Sequence, residues 1–344
     1  MKKFIDLRSD TVTKPSQQMR EAMMLAEVGD DVFGEDTTTN LLQEKMAKML
    51  GKEKSLFVPS GSMSNQICIK VHTEIGDEII CEEGSHIFNY EVAAPTVLSS
   101  VQVKTIKGVG GVFTLEEIKK HIRPKVYYMP TTKLIEIENT HNRAGGTIFP
   151  IDEIKKISEF VKSENIKIHL DGARLWNASI ETGISLKEYA SYFDSVSVCF
   201  SKGLGAPVGS LLAGSFEFME KAKKIRKLFG GGMRQCGIIA AAAMYAVENN
   251  FERLKEDHKK AKFFAEEISK LNSLHIDLES VQTNIVLIEF EKTKKSQVEI
   301  LNLLKENKIL LTSGNYNSLR AVFHLDVDME EVKKGIEIFK MLFE

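Results

Sequence analysis

The sequence is poor in the residue patterns that mark metal sites, disulfide frameworks and repeats. Its four cysteines, Cys68, Cys81, Cys199 and Cys236, are scattered through apolar segments and lack the spacing of metal ligands. We therefore predict that they are reduced core residues and that the protein has no metal. The chain has only 7 prolines, and neither an internal repeat nor a low-complexity tract is visible.

Long hydrophobic runs and blocks of like charge are also absent. No segment approaches the roughly 18 apolar residues of a membrane span, and the N-terminus MKKFIDLRSD lacks the apolar run of a signal peptide. We therefore predict a cytoplasmic protein without a membrane partner. With 46 Lys and Arg against 48 Asp and Glu and no basic stripe, nucleic acid is excluded as an expected partner. The glycine motifs of Rossmann and P-loop proteins do not follow any predicted strand.

What is present is the pattern of a large α/β protein. The chain has 344 residues, of which 43% are hydrophobic and 27% charged, as in ordinary globular proteins. From Ser55 onward, predicted strands and helices alternate. The composition shifts near Asn249, and a unit of about ninety residues follows that we expect to be built around an antiparallel sheet. We predict a large domain over 1–249 and a small α+β domain over 250–344.

Two short apolar runs organise the rest of the chain. Ile166 to Leu170 ends in Asp171, and Ser195 to Phe200 is followed by Lys202 in a glycine-containing loop. Both runs are typical of buried parallel strands. Because ligands of open α/β sheets bind at the carboxyl ends of the strands, we expect the acid and the amine to face one crevice.

An acid and an amine placed in this way suit pyridoxal 5'-phosphate. Its aldehyde forms a Schiff base with a lysine, here Lys202, and its ring nitrogen is kept protonated by a carboxylate, here Asp171. Each residue also has a plainer interpretation. A single lysine is usually a solvated surface charge, and an aspartate after a strand is usually a helix cap or turn former.

Two further segments fit the same cofactor. Gly61 and Ser62 open a predicted helix directly after a strand, where free N–H groups and the helix dipole favour phosphate. An ordinary serine cap explains that segment equally well. His86 follows the next strand, where an imidazole can stack on a cofactor ring or serve only as a capping residue.

With these residues in hand, the chain resembles the low-specificity L-threonine aldolases of the aspartate aminotransferase fold group. The resemblance extends over most of the chain and rests on a series of motifs in order. They are DLRSDTVT at 6–13, GDDVFGED at 29–36, FVPSGSMSNQ at 57–66, HIFNYE at 86–91, ENTHNRAGG at 138–146, HLDGARLWNA at 169–178, SVSVCFSKGLGAPVGS at 195–210, GGGMRQ at 230–235 and LRAVFHLDV at 319–327. It implies PLP-dependent fold type I, with a mostly parallel central sheet flanked by helices.

The resemblance also implies roles for individual residues. Lys202 and Asp171 take the roles given above, and His86 stacks on the pyridine ring and takes the proton of the substrate hydroxyl, directly or through a water. Arg174 approaches the phenolic oxygen of the cofactor or the substrate carboxylate. Residues 1–15 form an arm near the active site. The remaining implied ligands are Ser9 and Arg320 for the substrate carboxylate, Gly61, Ser62 and Ser201 for the cofactor phosphate, and Arg234 for the phosphate of the neighbouring subunit.

One position departs from the family pattern. Where members commonly have a histidine near the substrate hydroxyl, this chain has Tyr128, or Tyr127 or Met129 if the alignment shifts by one residue. A phenol is a poorer base than an imidazole near neutral pH, so the preference between threo and erythro substrates stays open.

The implied activity is cleavage of L-threonine or L-allo-threonine to glycine and acetaldehyde, by at least a homodimer and more commonly a homotetramer. Two other interpretations stay open. A β-eliminating lyase or an aminotransferase of the same fold group would use the same lysine and aspartate but release a keto acid. A non-catalytic binding protein would hold the cofactor without turnover.

Overall fold

The computed structural model describes residues 4–290, 293, 295–315 and 317–344. The strands are β1 Ile5–Asp6, β2 Lys54–Val58, β3 Glu78–Glu82, β4 Gln102–Ile106, β5 Thr132–Glu138, β6 Lys167–Gly172, β7 Ser195–Cys199, β8 Ser210–Gly214, β9 Ile285–Glu289, β10 Ile309–Leu310, β11 Thr312–Ser313 and β12 Ser318–Val322. The helices are α1 Gln17–Met24, α2 Thr37–Leu50, α3 Gly61–His72, α4 His86–Asn89, α5 Ala94–Ser99, α6 Leu115–His121, α7 Ile151–Ser163, α8 Leu175–Thr182, α9 Leu186–Ser191, α10 Phe216–Leu228, α11 Gly237–Asn250, α12 Leu254–Ile268, α13 Gln297–Glu306 and α14 Met329–Phe343.

Local sequence signals account for several of these boundaries. Ser16 and Ser60 each accept a hydrogen bond from the backbone N–H three residues later, so they cap α1 and α3. Gly51 ends α2 in the left-handed conformation, at φ 61°. Ile154, Ile157 and Val161 are the buried residues of α7, at the spacing of one helix face.

The described residues contain one central sheet of seven strands, in the order β2-β8-β7-β6-β5-β3-β4. Five neighbouring strands, from β4 to β7, run parallel, while β8 pairs antiparallel with both β7 and β2. Because β5, β6 and β7 are parallel neighbours, their carboxyl ends lie on one edge. The prediction that the strands before Asp171 and Lys202 lie side by side is therefore confirmed.

The described residues form four hydrophobic clusters, and the two largest act as the cores of two units. The first surrounds the central sheet and contains residues between Met19 and Leu254. The second contains residues from Ala261 to Phe343 and the antiparallel sheet β11-β12-β9. Ile5 and Leu7 belong to this second core, because β1 pairs in parallel with β10. The N-terminal segment is thus attached to the C-terminal unit, and the division at residue 249 stays a prediction.

Packing decides which side chains of α2 are buried and where α12 begins. Leu41, which fits the apolar period of α2, is 54% exposed, whereas Leu42 and Met46 are fully buried. α12 begins at Leu254, after a turn over residues 251–253. In the described part of the chain, no helix combines the length and the apolar character needed to cross a membrane.

Candidate active site

The reactive side chains come from consecutive strand ends at one edge of the central sheet. Asp171 is the second-to-last residue of β6 and lies opposite Ser197 of β7. Lys202 lies three residues beyond β7. Glu138 ends β5, the neighbour of β6 on the other side. His86 begins the short helix that follows β3. The parallel register alone brings these groups to the same edge.

Lys202 opens into a cavity of about 370 Å³ between the two cores. The cavity takes side chains from the N-terminal segment, the strand ends and the C-terminal unit. Its lining residues are Ser9, Thr11, His86, Tyr90, Glu138, Asn142, Arg143, Arg174, Lys202, Thr312, Ser313 and Arg320. A neighbouring cavity of about 730 Å³ shares only Tyr90 and Arg143 with it. The smaller cavity therefore holds five of the predicted functional residues together.

Asp171 is buried and does not line this cavity, but its carboxylate lies within 4.8 Å of a ring nitrogen of His86, which does. Its side chain accepts hydrogen bonds from Asn65 Nδ2 at 2.7 Å and from the Ala173 backbone N–H at 3.0 Å. Burial tends to raise the pKa of this carboxyl, but the charges of His86 and Lys202 and the bond from Asn65 outweigh burial and lower it. Asp171 is thus ionised near neutral pH, as the sequence predicts.

His86 sits beside a second buried acid. Its Nδ1 lies 2.8 Å from Glu91 Oε1, and its ring centroid lies 5.6 Å from that of Tyr90. Burial lowers the pKa of His86, but the hydrogen bond to Glu91 and the charge of Asp171 raise it above its ordinary value overall. Glu91 also accepts hydrogen bonds from Asn65 and Gln66, which fix its position.

Arg174 and Arg320 meet at the other side of the cavity. Arg174 forms a two-pronged ion pair with buried Asp10, through Nε at 2.8 Å and Nη2 at 2.7 Å. Arg320 Nη1 donates to Asn142 Oδ1 at 2.5 Å, and Arg174 Nη1 donates to the same oxygen at 3.2 Å. Burial and the charge of Arg174 lower the pKa of Arg320 to about 10, which still leaves it cationic. Asp10 balances the charge of Arg174. Among the described residues Arg320 donates only to neutral oxygens, of Asn142 and of the Arg8 backbone, so its charge is left to bind an anion.

The ion pair of Asp10 and Arg174 should be important for stability. We expect Asp10→Asn to lower the free energy of unfolding by about 3–5 kcal/mol, because the buried guanidinium then loses its counter-charge. Urea unfolding would measure the change. Lys333→Gln, which removes a pair with exposed Glu330, should cost less than about 1 kcal/mol. Equal losses for the two variants would contradict this assignment.

In the predicted phosphate-binding segment, the start of α3 packs closely against the end of β7. Gly61 is the first residue of α3, and a Cβ built on it would lie only 2.8 Å from Cys199 Sγ. Any larger residue would push the helix start away from β7. Ser62 lies in the first turn of α3, and Ser201 lies between β7 and Lys202. The phosphate role of these residues stays a prediction.

Six predicted residues do not line this cavity: Asp171, Gly61, Ser62 and Ser201, described above, and Arg234 and Tyr128. Arg234, in the loop between α10 and α11, pairs with Asp30 at 2.8 Å. Tyr128 is 69% exposed and packs edge-on against Tyr127, which is fully exposed. Neither residue lines the cavity of its own chain. A role for Arg234 or Tyr128 in catalysis would therefore require a second copy of the chain.

Several contributors were not singled out from the sequence. Asn65, Glu91, Glu138 and Asn142 all bond to, or lie among, the predicted residues. Each falls within one of the quoted motifs, so motif membership was the available signal. Their polar side chains gave no indication of which one would point into the site. Asp10, next to Ser9, was missed for the same reason.

Two histidines, His169 in β6 and His72 at the end of α3, give the protein a predictable acid sensitivity. Burial lowers the pKa of His169 to about 4 and that of His72 to about 3. The unfolded chain regains pKa values near 6.5 and binds protons that the folded state rejects. Stability should therefore fall as the pH decreases from about 6.5 toward 4, by about 2 kcal/mol at pH 5 for His169 alone.

The pH dependence of stability that His169 and His72 cause is opposite in sign to that of His86 and His141. His86 and His141 have raised pKa values, so their stabilisation is present below about pH 6.5 and fades as the pH rises. Urea unfolding at pH 5, 6.5 and 8 would test the prediction. His169→Gln should reduce the slope between pH 5 and 6.5. A wild-type protein that is more stable at pH 5 than at pH 6.5 would contradict it.

The chain is similar to known proteins over most of its length. Residues 6–291 match the family model described as Beta-eliminating lyase. The chain is 44% identical to low-specificity L-threonine aldolase 1 of Arabidopsis thaliana, covering 98% of this chain and 95% of that protein. It is 40% identical to the low specificity L-threonine aldolase of Escherichia coli strain K12, covering 96% of each.

The fold is also found in a solved structure of threonine aldolase from Leishmania major. The TM-score is 0.84 at 18% identity, with coverage of 99% of this chain and 100% of that one. The predicted fold class, a fold type I PLP enzyme with a mostly parallel sheet, is confirmed. With a family match over most of the chain and full-length relatives of at least 40% identity, this chain belongs to the beta-eliminating lyase family and, within it, to the low-specificity L-threonine aldolases.

Proposed function

We propose that this protein is a PLP-dependent L-threonine aldolase. It cleaves L-threonine, L-allo-threonine and related β-hydroxy-α-amino acids to glycine and an aldehyde. The observation that carries the proposal is the convergence of Lys202, His86, Arg174, Ser9 and Arg320 on one cavity, with the Asp171 carboxylate within 4.8 Å of His86. The full-length relatives named L-threonine aldolase support the same reaction.

The residues in and around the cavity fit PLP. Asp171 is buried and ionised and is held by hydrogen bonds on both oxygens, which suits a contact with a protonated pyridine nitrogen. Within the described residues, Lys202 Nζ donates no hydrogen bond, so its amine is available to a carbonyl carbon. The first turn of α3, with Gly61 and Ser62, supplies free N–H groups for a phosphate. Ser201 would add a hydroxyl, and Arg234 of a second subunit a charge.

When bound, PLP supplies an electron sink that accepts the electron pair of a bond broken at Cα. Asp171 would keep the ring nitrogen protonated, because a negative carboxylate next to that nitrogen favours its positively charged form. By keeping that nitrogen protonated, Asp171 would let electron density move into the ring as the bond at Cα breaks, so it would lower the barrier rather than only improve binding.

Orientation of the substrate falls to the two arginines. Arg320, with Ser9, fixes the carboxylate, and the planar guanidinium limits rotation about the bond to Cα. Arg174 is held by Asp10 and cannot turn freely, so it presents a fixed charge to the carboxylate or to the phenolic oxygen. With the substrate held in this way, its bond between Cα and Cβ would align with the electron sink that PLP would supply.

His86 is the proposed acceptor of the proton of the substrate hydroxyl. It lines the cavity, and Glu91 holds its Nδ1, which leaves Nε2 to face substrate or a positioned water. Because Tyr128 is exposed and outside this cavity, it takes part only if a neighbouring subunit carries it there. The preference between threo and erythro substrates depends on that arrangement.

We infer a homodimer at least, with a homotetramer as the expected form, acting in the cytoplasm in threonine breakdown or glycine supply. Support comes from Arg234, which lies outside its own cavity. Exposed apolar side chains also support an interface, among them Leu25 at 78% and Phe33 at 73% exposed.

The test of function is product identity. The purified protein should absorb visible light and release equal amounts of glycine and acetaldehyde from L-threonine and L-allo-threonine, assayed in parallel. Formation of a keto acid instead would favour a β-eliminating lyase or an aminotransferase. Bound cofactor without any turnover would indicate a binding protein.

A further inference from the structure

A polar seam runs between α3 and the central sheet, outside the cavity. It consists of Asn65 and His72 of α3, His169 and Asp171 of β6, and Ser195 and Ser197 of β7. The spacing explains their meeting. Asn65 and His72 are seven residues apart and share a helix face, while the members of each strand pair are two apart and share a sheet face. Asn65, His169 and the two serines are almost completely buried.

Four contacts join this seam into one chain of hydrogen bonds. His72 Nε2 lies 2.8 Å from Ser195 Oγ, and Ser195 Oγ lies 2.9 Å from His169 Nδ1. His169 Nε2 lies 3.3 Å from Asn65 Oδ1, and Asn65 Nδ2 lies 2.7 Å from Asp171 Oδ2. The chain thus connects the predicted cofactor carboxylate to His72, which lines a separate cavity of about 460 Å³.

The hydrogen-bond chain ends at Asp171, and because a carboxylate can only accept, the donor and acceptor of each hydrogen bond in the chain can be assigned. Asp171 and Glu91 are carboxylates that only accept, so Asn65 must turn its NH₂ group toward them. Asn65 Oδ1 then faces Ser197 and His169, and it can only accept. His169 must therefore carry its proton on Nε2.

The proton on Nε2 of His169 also determines whether its other ring nitrogen, Nδ1, donates or accepts. A neutral ring protonated at Nε2 accepts at Nδ1, and the Ser195 hydroxyl is the group that can donate there. The Ser195 carbonyl oxygen also lies 3.2 Å from Nδ1, but it is farther away and has no proton to give. Ser195 Oγ in turn accepts from His72 Nε2. All the protons in the chain point toward Asp171.

We propose that His169, supported by Ser195 and His72, is a positioning residue that locks the Asn65 amide toward Asp171 and so prepares this carboxylate for the cofactor ring. This inference rests on the proposed function, because it assigns Asp171 to the pyridine nitrogen. Without the Nε2 donor, Asn65 Oδ1 keeps only the Ser197 hydroxyl as a donor, so the amide is held less firmly. A flipped Asn65 would turn an oxygen toward the carboxylate and repel it.

The first test reads the tautomer directly. In ¹⁵N-labelled protein, with and without PLP, NMR should show His169 neutral and protonated on Nε2. Ser195→Ala should shift His169 toward protonation on Nδ1, although Ser195 does not contact Asp171. A wild-type His169 protonated on Nδ1, or on both nitrogens, would overturn the proposal. This measurement needs neither catalysis nor a destabilising variant.

The second test measures the dissociation constant of PLP. His169→Leu should weaken binding about tenfold, whereas His169→Gln, whose side-chain NH₂ can replace the Nε2 donor, should stay within about threefold of wild type. His121→Gln, at a histidine that contacts a backbone carbonyl in α6, should bind like wild type. Equal constants for the Leu, Gln and wild-type proteins would overturn the proposal. Product identity is not used here, so a failure of the aldolase assignment would be seen separately.

Discussion

Lys202→Ala is expected to abolish both turnover and the visible absorbance of the protein. Lys202 lines the cavity beside His86 and Arg174, and within the described residues its amine has no hydrogen-bond acceptor. No second lysine lines that cavity, on the residues that the structure describes, so no neighbouring amine can take over covalent attachment. Activity should therefore fall by at least about 10³-fold, into the background of the assay.

The control for this experiment separates charge from covalent chemistry. Lys202→Arg keeps a cation, but its guanidinium is too weak a nucleophile to attack a carbonyl at neutral pH, so it should be as inactive as the alanine variant. Lys224→Ala, on the exposed face of α10, should retain both absorbance and turnover. If Lys202→Ala kept the absorbance and more than a tenth of the activity, the assignment of the attachment site would be wrong.

Asp171→Asn is the substitution with the second largest expected effect. The amide keeps the shape of the side chain but removes the charge that balances a protonated pyridine nitrogen. We expect PLP to remain bound covalently, because Lys202 is untouched. The rate constant of cleavage should fall by about 10²–10⁴-fold, which corresponds to about 3–5 kcal/mol of transition-state stabilisation.

Single-turnover kinetics with L-threonine would measure this loss without interference from product release. Asp171→Glu restores the charge on a longer side chain and should recover part of the rate. The visible spectrum serves as a check that the cofactor is present in both variants. A rate for Asp171→Asn within fivefold of wild type would show that Asp171 does not act on the ring nitrogen.

Much of the active site was predictable because parallel sheets obey strong rules. A buried apolar run that ends in an acid, followed by a second run that ends in a lysine loop, places both groups at one sheet edge whatever the loops do. The antiparallel sheet of the C-terminal unit was also predicted from the sequence pattern. Helix ends such as Gly51 were predictable because capping is local.

Side-chain partners were much less predictable. Arg174 was assigned to cofactor or substrate, yet its strongest contact is Asp10, which lies 164 residues earlier. Asn65 was one polar residue in a helix, but it donates to both Asp171 and Glu91. Such pairings depend on which helix packs over which strand, and no local pattern encodes that choice.

By itself, the sequence determined the strand ends, and with them the placement of Lys202 and Asp171 on a common edge, because strand period and apolar burial are local properties. It also determined the family, through motifs spread along the whole chain. Only the tertiary structure decided that the N-terminal strand joins the C-terminal core, and that Asp10 neutralises Arg174. It alone decided that a directed hydrogen-bond chain ends at Asp171. Those features arise from contacts between residues far apart in sequence, whose geometry exists only once both cores have packed.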